Sequence, residues 1–234
     1  MVSSVSERQP VANAVRCQSI PSKMLDKGPV GGKRGGMNYR LPFVRRGQVV
    51  GLLGGSFDPP HAGHVHISRE AMRRFGLDQV WWLVTPGNPL KSRGPAPLKD
   101  RLAACRDILE HPRIVASDFE AQAGTRYTAE TLALLQKVRP GVRFVWLMGA
   151  DNLAQFDQWK GWEDILHRVP VGVLARPRQR ISARTSKAAR VYHHARLKGR
   201  HSQLLGRSSA PVWCFVNVPM RHISSTELRQ SGDW

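Results

Sequence analysis

The chain has 234 residues, three cysteines and a formal net charge of +19 at pH 7. It contains no run of about 18 apolar residues, which excludes a helix of membrane-spanning type. Its cysteines, Cys17, Cys105 and Cys214, are too scattered for a disulfide framework or a thiolate metal site. The charge implies attraction to polyanions, nucleic acid or phosphorylated metabolites among them, or simply a surface of solvated arginines. The unpaired cysteines fit a reducing compartment, so a cytoplasmic protein without membrane partners is expected.

Residues 1–46 have no apolar core of a secretory signal and are rich in Gly, Ser, Lys and Arg, with Glu7 and Asp26 as their acids. They read as a basic, disordered extension ahead of one domain spanning 47–234. Met24 and Met37 are alternative first residues. From Gln48 the texture changes. "QVVGLLGG" is an apolar run ending in glycines, the pattern of a buried parallel strand and a tight turn. In "GHVHISREAMRRFG", Ile67, Ala71 and Phe75 recur at helical spacing and Gly76 is a stop. "QVWWLVT" is a second strand. "PLKDRLAACRDILEH" is helical, with Leu98, Leu102, Cys105 and Leu109 on one stripe. "RIVAS" is a short strand, "TAETLALLQKVRP" a helix closed by Pro140, and "VRFVWLMGA", "VPVGVLARP" and "PVWCFVNVP" are further strands. Residues 176–207 contain no acid, and a basic helix is expected over Ser186–Leu197.

Strands alternating with helices at this spacing define an α/β fold with a doubly wound, Rossmann-like parallel sheet and helices on both faces. Ligands of such sheets sit beyond the carboxyl ends of the strands. "GLLGGSF", "TPGNPLK" and "GADN" each follow a strand directly, so all three should converge on one cleft.

The first of these carries the densest chemistry. In "GLLGGSFDPPHAGHVHISREA", Gly54 and Gly55 free the backbone to turn and approach a ligand. The amides after them, at Ser56 and Phe57, and the positive end of the following helix favour an anion. Neither G-x-G-x-x-G nor a Gly-Lys-Ser/Thr P-loop is present. A zinc site at His61, His64 and His66 would need a set of further ligands that the stretch does not mark out, so no protein-held metal is expected. His61 and His64, at the helix entrance, read as N–H donors to phosphate, and His66 as a surface residue.

"GGSFDPPHAGH" resembles the signature of the H-x-G-H nucleotidyltransferase superfamily, matched by His61-Ala62-Gly63-His64. "ISSTELR", Ile223–Arg229, resembles its second element. There Ser224 and Glu227 form an S-x-x-E capping box, which places Ser225 and Thr226 in a first helical turn with Arg229 one turn on. Within the superfamily, the span from Gln48 to Trp234 resembles bacterial nicotinate-nucleotide adenylyltransferases. "TPGNPLK", "TRYTAETL", "GADNLAQFDQW" and "LARP" carry that resemblance. It implies transfer of AMP from ATP to nicotinate mononucleotide, giving deamido-NAD and pyrophosphate in NAD biosynthesis, by in-line attack of the acceptor phosphate and with Mg²⁺ on the ATP.

The roles implied are these. His61, His64 and Arg229 act at the transferring phosphates. Gly54, Gly55, Ser56, Phe57, Gly149, Asp151, Arg176, Ser225 and Thr226 line the ATP site. Lys91, Tyr127, Thr128, Trp159 and Lys160 hold the mononucleotide. Asp151 would take ribose hydroxyls, or otherwise cap the "NLAQF" helix. Trp159 would stack on the pyridine ring, with Trp162 as competitor. Amides near Tyr127, Thr128 and Lys160 suit a carboxylate, favouring the acid over the amide substrate. Lys91 is a phosphate ligand or one more exposed lysine. Relatives acting on phosphopantetheine or glycerol phosphate are the nearest alternative. A nucleic-acid-binding role for the basic segments and a homo-oligomeric state stay open.

Overall fold

The computed structural model describes residues 38–87, 94–175 and 180–219. The described elements are strands β1 (Val49–Gly55), β2 (Gln79–Val84), β3 (Ile114–Ser117), β4 (Arg143–Gly149), β5 (Val171–Ala175), β6 (Arg196–Leu197) and β7 (Trp213–Asn217). Among them run helices α1 (Ala62–Phe75), α2 (Leu98–Ile108), α3 (Phe119–Ala123), α4 (Thr128–Val138), α5 (Ala150–Ala154), α6 (Trp162–Arg168), α7 (Arg180–Arg184) and α8 (Lys187–Val191). Three 3₁₀ segments, 156–158, 193–195 and 199–207, complete the set.

The strands form one sheet in the order β3-β2-β1-β4-β5-β7-β6, and every pairing is parallel. Successive strands run outward from β1 through β2 to β3, and then the chain crosses back to place β4 on β1's other side. The switch point therefore lies between β1 and β4, where a doubly wound sheet opens a crevice at its carboxyl edge. The register joins Gly55 to Val84, Leu53 to Leu147 and Gly149 to Leu174.

Both faces of the central strands are covered, which is why they read as continuous apolar runs rather than alternating ones. Val50, Leu52, Trp81, Phe144, Trp146 and Val173 point to one face, where they meet Leu132 and Leu135 of α4, Leu153 of α5 and Ile165 of α6. Leu53, Trp82, Val145, Leu147 and Leu174 point to the other, against Ala71, Met72 and Phe75 of α1, Leu102 and Cys105 of α2, and Leu205. Helix α1 stops at Gly76, which is left-handed at φ 63° and donates its N–H to the Met72 carbonyl. A Cβ there would also stand 2.6 Å from the Gln203 carbonyl oxygen, so both conformation and space require glycine.

The structure departs from the sequence reading in three places. The expected basic helix over 186–197 is broken: α8 ends at Val191, a 3₁₀ turn follows, and β6 then pairs with β7. The Trp213 indole donates to the Tyr192 carbonyl at 2.7 Å, claiming the acceptor that a continuing helix would need for its residue 196 amide. The short helices α3, α5 and α6 add elements that the pattern did not reveal. Finally, residues 38–46, read as part of the extension, lie on the domain. The Tyr39 ring meets Phe119 edge-on at 5.2 Å. Leu41 and Val44 pack on the core. Arg40 exchanges both backbone bonds with the Gln122 side chain, and the Gly47 amide donates to the Gly141 carbonyl at 2.7 Å.

Candidate active site

The site begins where β1 ends. Gly54 and Gly55 are still in the strand, and neither has a positive φ. The sequence reading gave them a turn to make; the structure gives them neighbours to admit. A Cβ on Gly54 would lie 2.6 Å from the Trp146 ring, and one on Gly55 3.2 Å from the Phe57 ring. The turn falls to Phe57, a non-glycine residue at φ +48°. Such a conformation costs an L-residue about 1 kcal/mol or more. Burial of its ring offsets that cost: Phe57 is 2% exposed and stacks on Trp82 at 4.7 Å with 13° between planes.

Helix α1 then opens on the two histidines. His61 is its N-cap, extended at φ −149° and ψ 167°, and its Nδ1 accepts the Gly63 amide at 3.1 Å. His64, three residues on, returns the bond: its Nδ1 accepts the His61 amide at 3.2 Å. This is the reciprocal capping box usually built by Ser/Thr and Glu/Gln, made here by two imidazoles. Sequence reading assigned such a box only to "ISSTELR", although the same i, i+3 spacing is present in His61 and His64.

The chemical consequence is specific. A ring nitrogen that accepts an N–H carries no proton, so each neutral imidazole bears its proton on Nε2. Both rings become donors on the edge facing away from the helix backbone. Their centroids are 3.8 Å apart, and His61 is 8% exposed. His64 leans on Phe57 at 4.9 Å and Trp82 at 5.8 Å. The Trp82 indole donates to Ser68 Oγ at 2.8 Å, and that hydroxyl donates to the His64 carbonyl, also at 2.8 Å. The first turn of α1 holds no acid, while Arg73 and Arg74 occupy its last. With no acid in the first turn, the positive end of the helix suits an anion. His66, expected to be incidental, makes a short contact through Nε2 with the Pro219 carbonyl just beyond β7.

Across the switch point, β4 ends at Gly149, the N-cap of α5. A side chain there would collide with the Asp151 carboxylate, which folds back over it. Asp151 lies in the first turn, exposed, and makes no capping bond. A third group assembles at the start of α4. Tyr127 is the N-cap without a side-chain cap bond, leaving first-turn amides from Thr128 onward to other acceptors. The Lys160 ammonium sits 4.2 Å from the Tyr127 ring centroid and 3.8 Å from Glu130. Gly161, left-handed at φ 70°, brings that turn close enough that a Cβ would meet Ala129 at 3.1 Å. Trp159 packs edge-on against Trp146 and Phe156, and Trp146 is the residue beneath Gly54. Trp162 faces Phe156 and Tyr192 instead. The Trp146 indole N–H is buried with no partner among the described residues.

The structure thus brings Gly54, Gly55, Ser56, Phe57, His61 and His64 together at the β1 edge. Gly149 closes neighbouring β4 and Asp151 stands in the first turn of α5 after it, and Tyr127, Thr128, Trp159 and Lys160 form a further group. Lys91, Arg176, Ser225, Thr226 and Arg229 lie outside the described residues. Among the described residues, no three His, Cys, Asp or Glu side chains gather as a metal site, and no helix is long and apolar enough to cross a membrane.

Two residues of the site region carried no role in the sequence reading. Arg101 is wholly buried and donates to four carbonyls. It falls on the Leu98–Leu102–Cys105 stripe, and a lone cation on the inward face of a helix is the signal that could have found it. Glu120, 9% exposed, accepts the Thr131 hydroxyl at 3.3 Å. Nothing in its sequence surroundings distinguishes it.

A parallel sheet with an anion-seeking helix end at its switch point defines a nucleotide-binding class, and comparison with known proteins agrees. Residues 52–231 match the cytidylyltransferase-like family. A protein of Ruegeria pomeroyi named "Probable nicotinate-nucleotide adenylyltransferase" is 62% identical over 198 residues, 85% of this chain and 93% of that one. A Cereibacter sphaeroides protein of the same name is 65% identical over 186 residues, covering 80% and 98%. The fold matches Plasmodium falciparum nicotinic acid mononucleotide adenylyltransferase complexed with NaAD, at a TM-score of 0.60 and 17% identity over 77% of this chain and 82% of that one. The chain belongs to the cytidylyltransferase-like family and, within it, to the nicotinate-nucleotide adenylyltransferases.

Proposed function

We propose that this protein is a nucleotidyltransferase that moves AMP from ATP to nicotinate mononucleotide, releasing pyrophosphate and forming deamido-NAD, in the cytoplasm. The observation that carries the reading is the reciprocal His61–His64 cap, which supplies two Nε2–H donors at the open end of α1, beside the sheet's switch point.

The acceptor phosphate is already a competent nucleophile, so the protein needs no covalent intermediate. Its task is to align the two substrates and hold charge as it develops. His61 and His64 donate to the ATP phosphates, His64 nearest the transferring group, with the amides of Ser56 and Phe57 beside them. Gly54, Gly55 and Gly149 leave room for the nucleotide, Asp151 takes ribose hydroxyls, and Arg176 adds a donor to the ATP. Ser225, Thr226 and Arg229 receive the departing pyrophosphate. Lys91 binds the acceptor phosphate. Trp159 stacks on the pyridine ring, and the amides near Tyr127, Thr128 and Lys160 meet its carboxylate.

Mg²⁺ fits this site as a companion of ATP, because that ion keeps its waters and takes phosphate oxygens in preference to an all-protein cage. When bound it neutralises part of the phosphate charge.

Pyrophosphate release from Mg-ATP, measured separately with nicotinate mononucleotide, nicotinamide mononucleotide and phosphopantetheine, tests the reading. Release should be fastest with the first. His64→Ala should lower turnover by about a hundredfold or more, the scale of losing a donor to developing charge, with circular dichroism unchanged. Turnover intact in that variant would remove His64 from the mechanism.

A further inference from the structure

We propose that Arg101 is a positioning residue of the transfer reaction: from beneath the site it fixes the direction of the Phe57 amide and the separation of the two strand-end loops. The proposal rests on the nucleotidyltransferase reading above.

Arg101 is 0% exposed. A guanidinium cannot shed its charge, and burying one is costly unless its donors are satisfied. Helix α2 could fill this position with leucine, as it does at Leu102. Instead the side chain reaches three separate segments. Nη1 donates to the Ser56 carbonyl at 2.7 Å and to the Thr85 carbonyl at 2.8 Å. Nε donates to the Ala96 carbonyl at 2.7 Å, and Nη2 reaches the Pro86 carbonyl at 3.4 Å. Ser56 is where β1 runs out, Thr85 and Pro86 are where β2 runs out, and Ala96 leads into α2. One rigid fork therefore ties together the loops that leave two neighbouring strands at the carboxyl edge of the sheet.

The bond to Ser56 has a directional consequence. Across a trans peptide the C=O and the following N–H point in opposite directions. Holding the Ser56 oxygen down onto Arg101 turns the Phe57 N–H away from the guanidinium, out of the core. A full positive charge on the carbonyl also polarises that peptide and strengthens its N–H as a donor. Phe57 stands at φ +48°, a backbone conformation that an L-residue disfavours and that its surroundings must hold. Its ring is clamped by Trp82, and its backbone is set by Arg101. The two contacts together hold the Ser56–Phe57 peptide, directly after β1, at a residue whose ring meets that of His64 at 4.9 Å.

The test uses the full chain with Arg101→Met, which keeps the stem and removes the fork, and Arg101→Lys, which keeps the charge but has one nitrogen in place of the three that reach the four carbonyls. Pyrophosphate release is followed with Mg-ATP and nicotinate mononucleotide, alongside melting temperature and circular dichroism. A positioning role predicts that kcat per folded molecule falls about a hundredfold in Arg101→Met. Both KM values should stay within about threefold, since a misaimed donor costs the transition state more than the ground state. Arg101→Lys should recover part of kcat. Lower melting temperatures with kcat within about threefold of wild type in Arg101→Met would mark Arg101 as a fold residue only and overturn the proposal. So would a loss confined to KM, or failure of both variants to fold. Absence of transfer by the wild type would instead sink the adenylyltransferase reading, which separates the two failures.

Discussion

Glu120 shows how a single buried group sets a pH dependence away from the reacting atoms. Burial pushes its carboxyl above the ordinary carboxylate value, and bonds from the Thr85 and Thr131 hydroxyls pull it only part of the way back. A carboxyl whose folded pKa is raised gives stability that is present below the unfolded value, near 4.5, and is lost as pH rises through the folded one. Glu120→Gln keeps the carbonyl acceptor and removes the titration. Its melting temperature should therefore gain on wild type as pH rises from 4.5 to 8, and a constant difference would contradict this. The thiols follow the same logic. Burial lifts Cys105 to about 12 and Cys214 to about 11. Neither forms a thiolate at neutral pH, so maleimide at pH 7.5 should label neither until the protein unfolds; mass spectrometry of the native labelled chain checks it. Above pH 9 the unfolded chain ionises these thiols before the folded one does, and stability should fall there.

At the scale of elements, the segment 38–46 gives the sharpest expectation. It adds no strand or helix, yet Tyr39, Leu41 and Val44 cover apolar surface and Gln122 ties its backbone down. Covering two or three such side chains stabilises by roughly 2–4 kcal/mol. A chain beginning at Gly47 should then melt about 5–10 °C below one beginning at Asn38. Turnover at 25 °C should match, because none of these residues has a proposed role in the transfer. Equal melting temperatures would show that the packing contributes nothing. The segment escaped the sequence reading because it has no periodicity: its three apolar side chains are spaced irregularly and its hydrogen bonds are made by backbone. The long elements were legible because parallel strands buried on both faces leave unbroken apolar runs, and α1 and α4 span three turns or more. α3, α5 and α6 are one or two turns each, too short for a 3.6-residue period to repeat. The site was legible where chemistry is local, as at His61 and His64. It was not where a residue acts through distant backbone, since Arg101 is one of 36 lysines and arginines until the two strand-end loops are folded around it.

For the whole molecule, charge is the property that reaches furthest. Every substrate in the proposed reaction is an anion, and the chain carries a net +19. The stretch of chain after β5 concentrates this: Arg184, Lys187, Arg190, Lys198, Arg200 and Arg207 are all exposed, and no acid lies between residues 165 and 226. Such a field raises the local concentration of anions around the site without touching them, over distances set by the Debye length of about 10 Å at 0.1 M salt. The expected signature is kinetic. Raising NaCl from about 50 to 500 mM should lower kcat/KM for both substrates several-fold, mainly through KM, with kcat little changed. Reversing Arg190 and Arg200 to glutamate should flatten that salt dependence and leave kcat alone, because both residues are exposed and neither has a proposed role at the reacting phosphates. A kcat/KM indifferent to salt would mean that the excess charge acts on something other than the substrates. Retention on a random RNA or DNA column that weakens with salt and with the same two reversals would identify that partner as nucleic acid.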